Sequence, residues 1–211
     1  MTSDAPLNEI LDLRIQISDG FHPVRLEEDI DSATWAREVV AEVTAQTGSL
    51  DHEDSMLGQL EELRIRLLAQ LNPYLTAAVH IRPEEFMSLG LLLTFQVVEM
   101  EPEQGPDWYE QTARELAAET AADAFTLNFE TWQGELPAGR FVGAHQVTEY
   151  FAAGDEIGWV EARTMFGVFP PNSTEMVQFT FTSADLATFG DMRAETQLIV
   201  GSLELDLGPT E

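Results

Sequence analysis

The sequence predicts an α+β protein, in which antiparallel strands are combined with long amphipathic helices. Amphipathic helix patterns dominate the first half, and strand patterns separated by turn signals fill most of the rest. No glycine fingerprint follows any strand pattern, so a Rossmann-type dinucleotide site is not supported. We predict one domain over residues 1–211, with the proline- and glycine-containing segment 101–106 as a candidate internal boundary.

The first third contains one strand pattern and two helix patterns. Residues 11–17 alternate strictly between apolar and polar side chains, as in a half-buried strand. Ser32 is a candidate cap for a helix that runs to about Thr47 and stops at Gly48. The second helix ends before Pro73, and its apolar residues recur at spacings of three and four. These residues are Met56, Leu60, Leu63, Leu67 and Leu71.

The middle of the chain predicts two strands and a helix. We predict strands over residues 74–81 and 88–99, and the second strand has one strongly apolar face. Asp107 and Glu110 form an aspartate version of the capping box and would start a helix to about Ala124. The predicted inner face of this helix comprises Tyr109, Ala113, Leu116 and Thr120.

The last third is rich in strand patterns and closes with a helix. The predicted strands cover residues 125–132, 140–151, 157–169 and 175–182. In the last of them apolar and polar residues alternate, which fits a hairpin with one face on the core. A closing helix would begin at Ser183. Its apolar stripe comprises Phe189, Met192, Thr196, Ile199 and Leu203.

The chain is strongly acidic, with 38 acidic residues against ten arginines and a formal net charge of −28. Residues 1–106 hold 20 acids and six arginines, and residues 107–211 hold 18 acids and four, so each half carries −14. The charge therefore covers the whole surface. It disfavours nucleic acid and anionic membranes as partners and favours cationic ones. A GC-rich coding bias or salt adaptation would also explain an acidic chain without lysine.

Composition also bears on compartment. The chain has no cysteine, which excludes disulfides, thiol nucleophiles and cysteine metal sites. The residues after Met1 lack the basic and apolar regions of a signal peptide. The longest apolar run, around Leu89–Phe95, is far shorter than the roughly 20 residues of a membrane helix. We expect a cytoplasmic protein.

No motif points to catalysis, a cofactor or a metal. The sequence lacks a nucleophile elbow, a phosphate loop and a His-Glu-x-x-His pair. His52 and its acidic neighbours point apart on a helix, and with 38 acids paired carboxylates carry little information. His80 and His145 lie in predicted strands that could bring them together. We predict no catalytic, cofactor-binding or metal-binding residue.

Large aromatic residues are the candidate interface. Tryptophan and tyrosine are enriched at protein–protein interfaces, although core packing is the ordinary role of each one. Trp159 follows Gly158 at a strand start and is the first candidate. For Arg140 and Arg163 we predict surface ion pairs. The candidate interface residues are Trp108, Trp132, Trp159, Tyr150 and Arg163.

Two stretches of the last third, followed by the closing helix to Leu205, resemble the carboxy-terminal part of PsbP-like proteins, especially small actinobacterial members. The stretches are GWVEARTMFGVFPP (158–171) and VQFTFTSADL (177–186). The resemblance covers about 65 residues well. It implies an antiparallel sheet with helices on both faces, which is an α/β/α sandwich. It also implies a binding role, since members include photosynthetic adaptors, GTPase partners and chaperones for secreted effectors. No catalytic residues are carried over.

The leading hypothesis is therefore a non-enzymatic adaptor or chaperone-like protein that binds a basic or secreted protein partner. One alternative is an enzyme or small-ligand-binding protein with a pocket between the sheet and the helical region 32–71. Another is an acidic immunity-type inhibitor of a basic toxin, which the even spread of charge fits poorly.

Overall fold

The computed structural model describes residues 7–48, 53–83, 87–119, 124–151 and 158–209. Over these residues the chain is α+β, with a seven-stranded antiparallel sheet, a two-stranded antiparallel ribbon and four helices. More of the described residues lie in strands than in helices. The predicted α+β class and the antiparallel sheet are confirmed.

The elements have the following bounds. The helices are α1 (Ser32–Thr47), α2 (Glu53–Leu68), α3 (Pro106–Ala118) and α4 (Met192–Gly201). The strands are β1 (Asn8–Arg14), β2 (Phe21–Val24), β3 (Thr76–Pro83), β4 (Met87–Glu99), β5 (Ala124–Leu136), β6 (Gly139–Phe151), β7 (Gly158–Phe169), β8 (Glu175–Ser183) and β9 (Glu204–Pro209).

The sheet has the strand order β2-β3-β4-β8-β7-β6-β5, and β1 pairs with β9 in the separate ribbon. All pairs between strands are antiparallel. The central pair, β4 and β8, joins segments about 80 residues apart and runs in register from Leu92–Thr182 to Glu99–Glu175. The two outer strands of the sheet are β2 and β5.

The two faces of the sheet contact different parts of the chain. On β3, Ala77, Val79 and Ile81 lie in a core cluster with apolar residues of α1 and α2. On β4, Leu91 and Leu93 lie in a second cluster, to which α4 contributes Val200. Because strand side chains alternate between faces, these clusters lie on opposite sides of the sheet. We call the side that contacts α1 and α2 the front and the other side the back.

The predicted stripes of the first two helices form the front cluster. Trp35, Val39 and Val43 of α1 are buried, as are Met56, Leu60, Leu63 and Leu67 of α2. Two details of the prediction are wrong. Asp31, not Ser32, caps α1, since its carboxylate accepts from the Thr34 N–H at 3.0 Å. Leu71 lies beyond the end of α2, is 87% exposed and has a φ of 52°.

Helix α3 also lies on the front, where Tyr109 packs with Val142 and Phe169. The predicted capping box does not form: Gly105 occupies the cap position without a side-chain hydrogen bond, and the Glu110 side chain bonds to β5 instead. The helix ends at Ala118, short of the predicted Ala124. Tyr109 and Ala113 are buried as predicted, Leu116 is exposed, and Thr120 lies outside the described residues.

The two ends of the chain differ most from the prediction. The first strand covers Asn8–Arg14 rather than residues 11–17, and β2 was not predicted. The closing helix begins at Met192, capped by Asp191, and not at Ser183. Residues 204–209 form β9, where the prediction continued the helix to Leu205.

Candidate functional site

An open groove runs along the front of the sheet beside α2. Its volume is about 410 Å³. Helix α2 and the residues just after it form one wall, and β4, β7 and β8 form the floor and the other wall. The lining residues are Gln59, Leu63, Arg66, Leu67, Gln70, Leu89, Leu92, Trp159, Glu161, Thr182 and Ala184. We call this feature the Trp159 groove.

Trp159 forms the aromatic wall of the groove. It pairs across the β6–β7 ladder with Tyr150, and the two rings stack with centroids 5.4 Å apart and planes 17° from parallel. Trp159 remains 51% exposed. Gly158 allows the close approach of the strands here, because a Cβ at this position would lie 2.4 Å from the Tyr150 carbonyl oxygen. A large, oriented aromatic surface is therefore held open to solvent.

Charged residues of both signs lie along the same side of β7. Glu161 and Arg163 follow Trp159 at intervals of two and so share its face. Arg163 Nη2 lies 2.9 Å from Glu161 Oε1, which confirms the surface ion pair predicted for this arginine. Arg140 likewise pairs with Glu135, at 3.8 Å. On the opposite wall, Arg66 lies 4.0 Å from Glu62 of the same helix.

A chain of amide hydrogen bonds crosses the front between α2 and α3. Asn72 donates to Gln96, and Gln96 Nε2 donates to Gln178 Oε1 at 2.9 Å. Gln178 in turn hydrogen bonds with the hydroxyl of Tyr109 on α3. Burial raises the pKa of Tyr109 to about 12, against the smaller opposing effect of the Gln178 bond. These hydrogen bonds attach the segment after α2 and helix α3 to the same sheet.

The structure brings two of the five predicted interface residues, Trp159 and Tyr150, into contact. Arg163 lies on the same face of β7 but outside the groove lining. Trp132 lies on the back, where its Nε1 donates to Gln197 at 2.9 Å and Arg193 sits 4.4 Å above its ring. Its contacts attach α4 to β5. Trp108 is 40% exposed in the first turn of α3 and does not line the groove.

The described histidines do not form a cluster. His22 is buried and lies 3.3 Å from the Glu42 carboxylate. His80 packs against Phe21 and Phe189, and burial, followed by the charges of His22 and Arg82, lowers its pKa.

His145 bonds through Nδ1 to Thr164 Oγ1 at 2.9 Å, and burial is the main cause of its lowered pKa. No contact joins His80 to His145 among the described residues, and His52 lies outside them. The described part of the chain holds no group of three or more histidines and acids placed to bind a metal.

Sequence reasoning missed the polar residues on the α2 side of the groove. Gln59, Arg66 and Gln70 line it together with Leu63. Gln70 lies in the turn just after the end of the helix. Gln59, Leu63 and Arg66 recur at spacings of four and three, so they share one face of α2. This spacing could have predicted that polar residues of α2 lie together at the edge of its buried face.

Comparisons with known proteins match no family model to the chain and find no matching curated protein. Within the described residues, no helix combines the length and apolar character needed to cross a membrane.

Proposed function

We propose that this protein is a non-enzymatic binding protein that holds a partner protein in the Trp159 groove. The observation that carries the proposal is the half-exposed Trp159, stacked on Tyr150 and opening onto a groove beside α2. Tryptophan and tyrosine dominate the binding energy of many interfaces, because they bury a large area with few rotatable bonds. A stacked pair loses still less freedom on binding.

The proposed partner is cationic. With a net charge of −28, the protein attracts a basic partner over a distance set by ionic strength and repels nucleic acid and anionic membrane surfaces. We propose a cytoplasmic adaptor or chaperone-like role, with a basic or secreted protein as the partner. Under this proposal charge accelerates encounter, and the aromatic groove supplies the short-range contact.

The proposal includes a fold family. The back cluster with α4, the front clusters with α1, α2 and α3, and the resemblance of residues 158–171 and 177–186 support a PsbP-like α/β/α sandwich. An experimental structure superimposed on PsbP-like proteins tests this part. A sheet order other than theirs would remove the family from the proposal and leave the groove in place.

Capture from a cell extract tests the binding role. We expect the immobilised protein to retain a basic protein at low salt and to release most of it at about 0.5 M salt, where charges are screened within a few ångströms. Trp159→Ala should reduce capture at least about tenfold, as expected for loss of a central aromatic contact. Trp108→Ala is the matched control, since it removes an exposed tryptophan outside the groove. Equal capture by both variants, or salt-insensitive capture, would count against the proposal.

The volume of the groove favours one alternative, a small-ligand-binding protein or an enzyme. About 410 Å³ lies within the range of small-molecule sites. A thermal-shift screen separates the two functions, because a ligand at 100 times its dissociation constant adds about 2.7 kcal/mol of stability. A small compound that stabilises the wild type but not Trp159→Ala would favour this alternative.

A further inference from the structure

The two edges of the seven-stranded sheet are built differently. Strand β2 has four residues, including Pro23, which lacks an N–H group. Strand β5 has 13 residues and contains neither proline nor arginine. Short edge strands with proline resist pairing with another strand, whereas a long edge offers a row of free N–H and C=O groups. Only the β5 edge has the length to accept another strand.

The stretch Asn128–Leu136 of β5 is a regular strand with an open outer edge. A bulge between Thr126 and Asn128 interrupts the pairing with β6, after which pairing continues without a break to Leu136. In the described ranges no other strand pairs with β5, and no backbone hydrogen bond from a turn or loop reaches this stretch. Among the residues that the structure describes, its outward backbone groups therefore have no strand partner.

Side chains fix this strand from both faces of the sheet. On the front, Thr131 Oγ1 and Gln133 Nε2 donate to the Glu110 carboxylate of α3, at 2.7 and 2.5 Å. On the back, Trp132 bonds to Gln197 of α4, and Glu130 lies 2.7 Å from Arg193. An edge held in strand geometry before binding loses little conformational freedom when another strand is added.

The net charge of the molecule argues for a basic occupant of this edge. The two acids of β5 each have an arginine partner, with Glu130 2.7 Å from Arg193 and Glu135 3.8 Å from Arg140. The attraction for a cationic segment therefore comes from the net charge of −28. A second copy of the chain would bring another −28 and would be repelled, whereas a segment with lysine or arginine is attracted.

We infer that the outer edge of β5, over Asn128–Leu136, accepts an extended basic segment of the partner protein as an eighth strand of the sheet. Backbone hydrogen bonds supply the register, and lysine or arginine side chains on the added strand face the acidic surface. The inference rests on the proposed binding function and specifies the partner: a protein with an exposed or unfolded basic stretch.

A pair of synthetic peptides tests strand addition directly. One is a ten-residue peptide of alternating lysine and valine, and the other has the same sequence with every backbone amide N-methylated, which keeps the charge and removes the donors. We expect the first peptide to bind at least about tenfold more tightly at low salt, because only it can form the ladder. We also expect it to slow amide hydrogen exchange within residues 128–136. Equal binding of the two peptides, binding by neither, or unchanged exchange in this stretch overturns the inference.

Two charge reversals locate the site. Glu135→Lys places a cation on the β5 edge, whereas Glu28→Lys makes the same change of net charge in an exposed loop near β2. We expect the first variant to weaken the lysine–valine peptide several-fold more than the second. Equal weakening would mean that the peptide senses only the overall charge, and the inference would fail.

The groove variant separates this inference from the proposed function. If Trp159→Ala abolishes partner capture and Glu135→Lys does not, the groove proposal stands and the strand-addition inference is wrong. If Glu135→Lys abolishes capture and Trp159→Ala does not, the groove is not the binding site and the edge is.

Discussion

Arg64 is the most deeply buried charge among the described residues, with an exposed fraction of 1%. Its guanidinium donates to the carbonyl oxygens of Arg25 and Glu27, at 2.5 and 2.8 Å, and to Ser32 Oγ at 2.8 Å. The two carbonyl groups lie between β2 and α1, and Ser32 is the first residue of α1. One side chain of α2 thus fixes the path that leads into α1, while Asp31 caps the helix.

We expect Arg64→Met to lower the free energy of unfolding by about 3 kcal/mol, because it leaves three partners without their donor. Arg66→Met is the matched control on the same helix. Arg66 is exposed and lies 4.0 Å from Glu62, so its loss should cost less than about 0.5 kcal/mol. Urea unfolding measures both values. Similar losses in the two variants would mean that the buried hydrogen bonds contribute little.

The sequence predicts that position 64 is buried, but it does not predict which groups the Arg64 side chain bonds to. Position 64 follows Leu60 by four and precedes Leu67 by three, so periodicity places Arg64 on the buried stripe. Its acceptors lie more than 30 residues away and cannot be read from the helix. The same periodicity wrongly extends the stripe to Leu71, because Asn72 precedes Pro73 and is disfavoured in a helical conformation.

At the scale of elements, Glu110 attaches α3 to β5. Its carboxylate accepts hydrogen bonds from Thr131, Gln133 and Arg114, and these bonds lower its pKa to about 2 from an ordinary 4.5. The folded state therefore binds this proton less readily than the unfolded state does. The stabilisation is fully present above pH 4.5 and is lost as the pH falls toward 2.

Glu110→Gln should remove this part of the pH dependence. We expect the variant to be less stable than the wild type near neutral pH and to lose less stability between about pH 5 and 3, since an amide does not titrate. Denaturant unfolding at the two pH values measures the difference. Glu115→Gln, an exposed change on the same helix, should keep the wild-type pH dependence. If Glu110→Gln also keeps it, the Glu110 hydrogen bonds do not couple folding to this proton.

Most elements with long, regular patterns were predictable, and short ones were not. Strand β5 is an exception among the long ones, since it continues to Leu136 whereas the predicted strand ends at residue 132. Helix α1 and the long strands β4, β6 and β7 lie within one residue of their predicted bounds. Strands β2 and β9 have four and six residues, too few for a pattern to stand out. The closing helix begins at Met192 and not at the predicted Ser183. The Ser183 hydroxyl does not cap a helix, since it donates to the Gly90 carbonyl oxygen at 2.5 Å. Asp185 likewise lies 2.7 Å from Arg82.

At the scale of the whole molecule, the fold class was predictable and the groove was not. Alternation and turn signals are local, so they predict an antiparallel α+β protein correctly. The groove depends on which strands are neighbours, since β4 pairs with β8 and α2 lies about 90 residues before Trp159 in the chain. One residue of the groove was predicted from the sequence: Trp159 is a candidate because it follows a glycine at the start of a strand.

We propose that the molecule works by binding a protein in the Trp159 groove. Photo-crosslinking inside cells tests this with a benzoyl-phenylalanine residue in place of Gln70, which lines the groove and leaves Trp159 intact. The control probe replaces Leu198, which is 76% exposed on α4. We predict that the probe at position 70 forms an adduct with one basic protein and that the probe at position 198 does not. The same adducts from both positions, or no protein adduct from position 70, would mean that the groove is not the binding site.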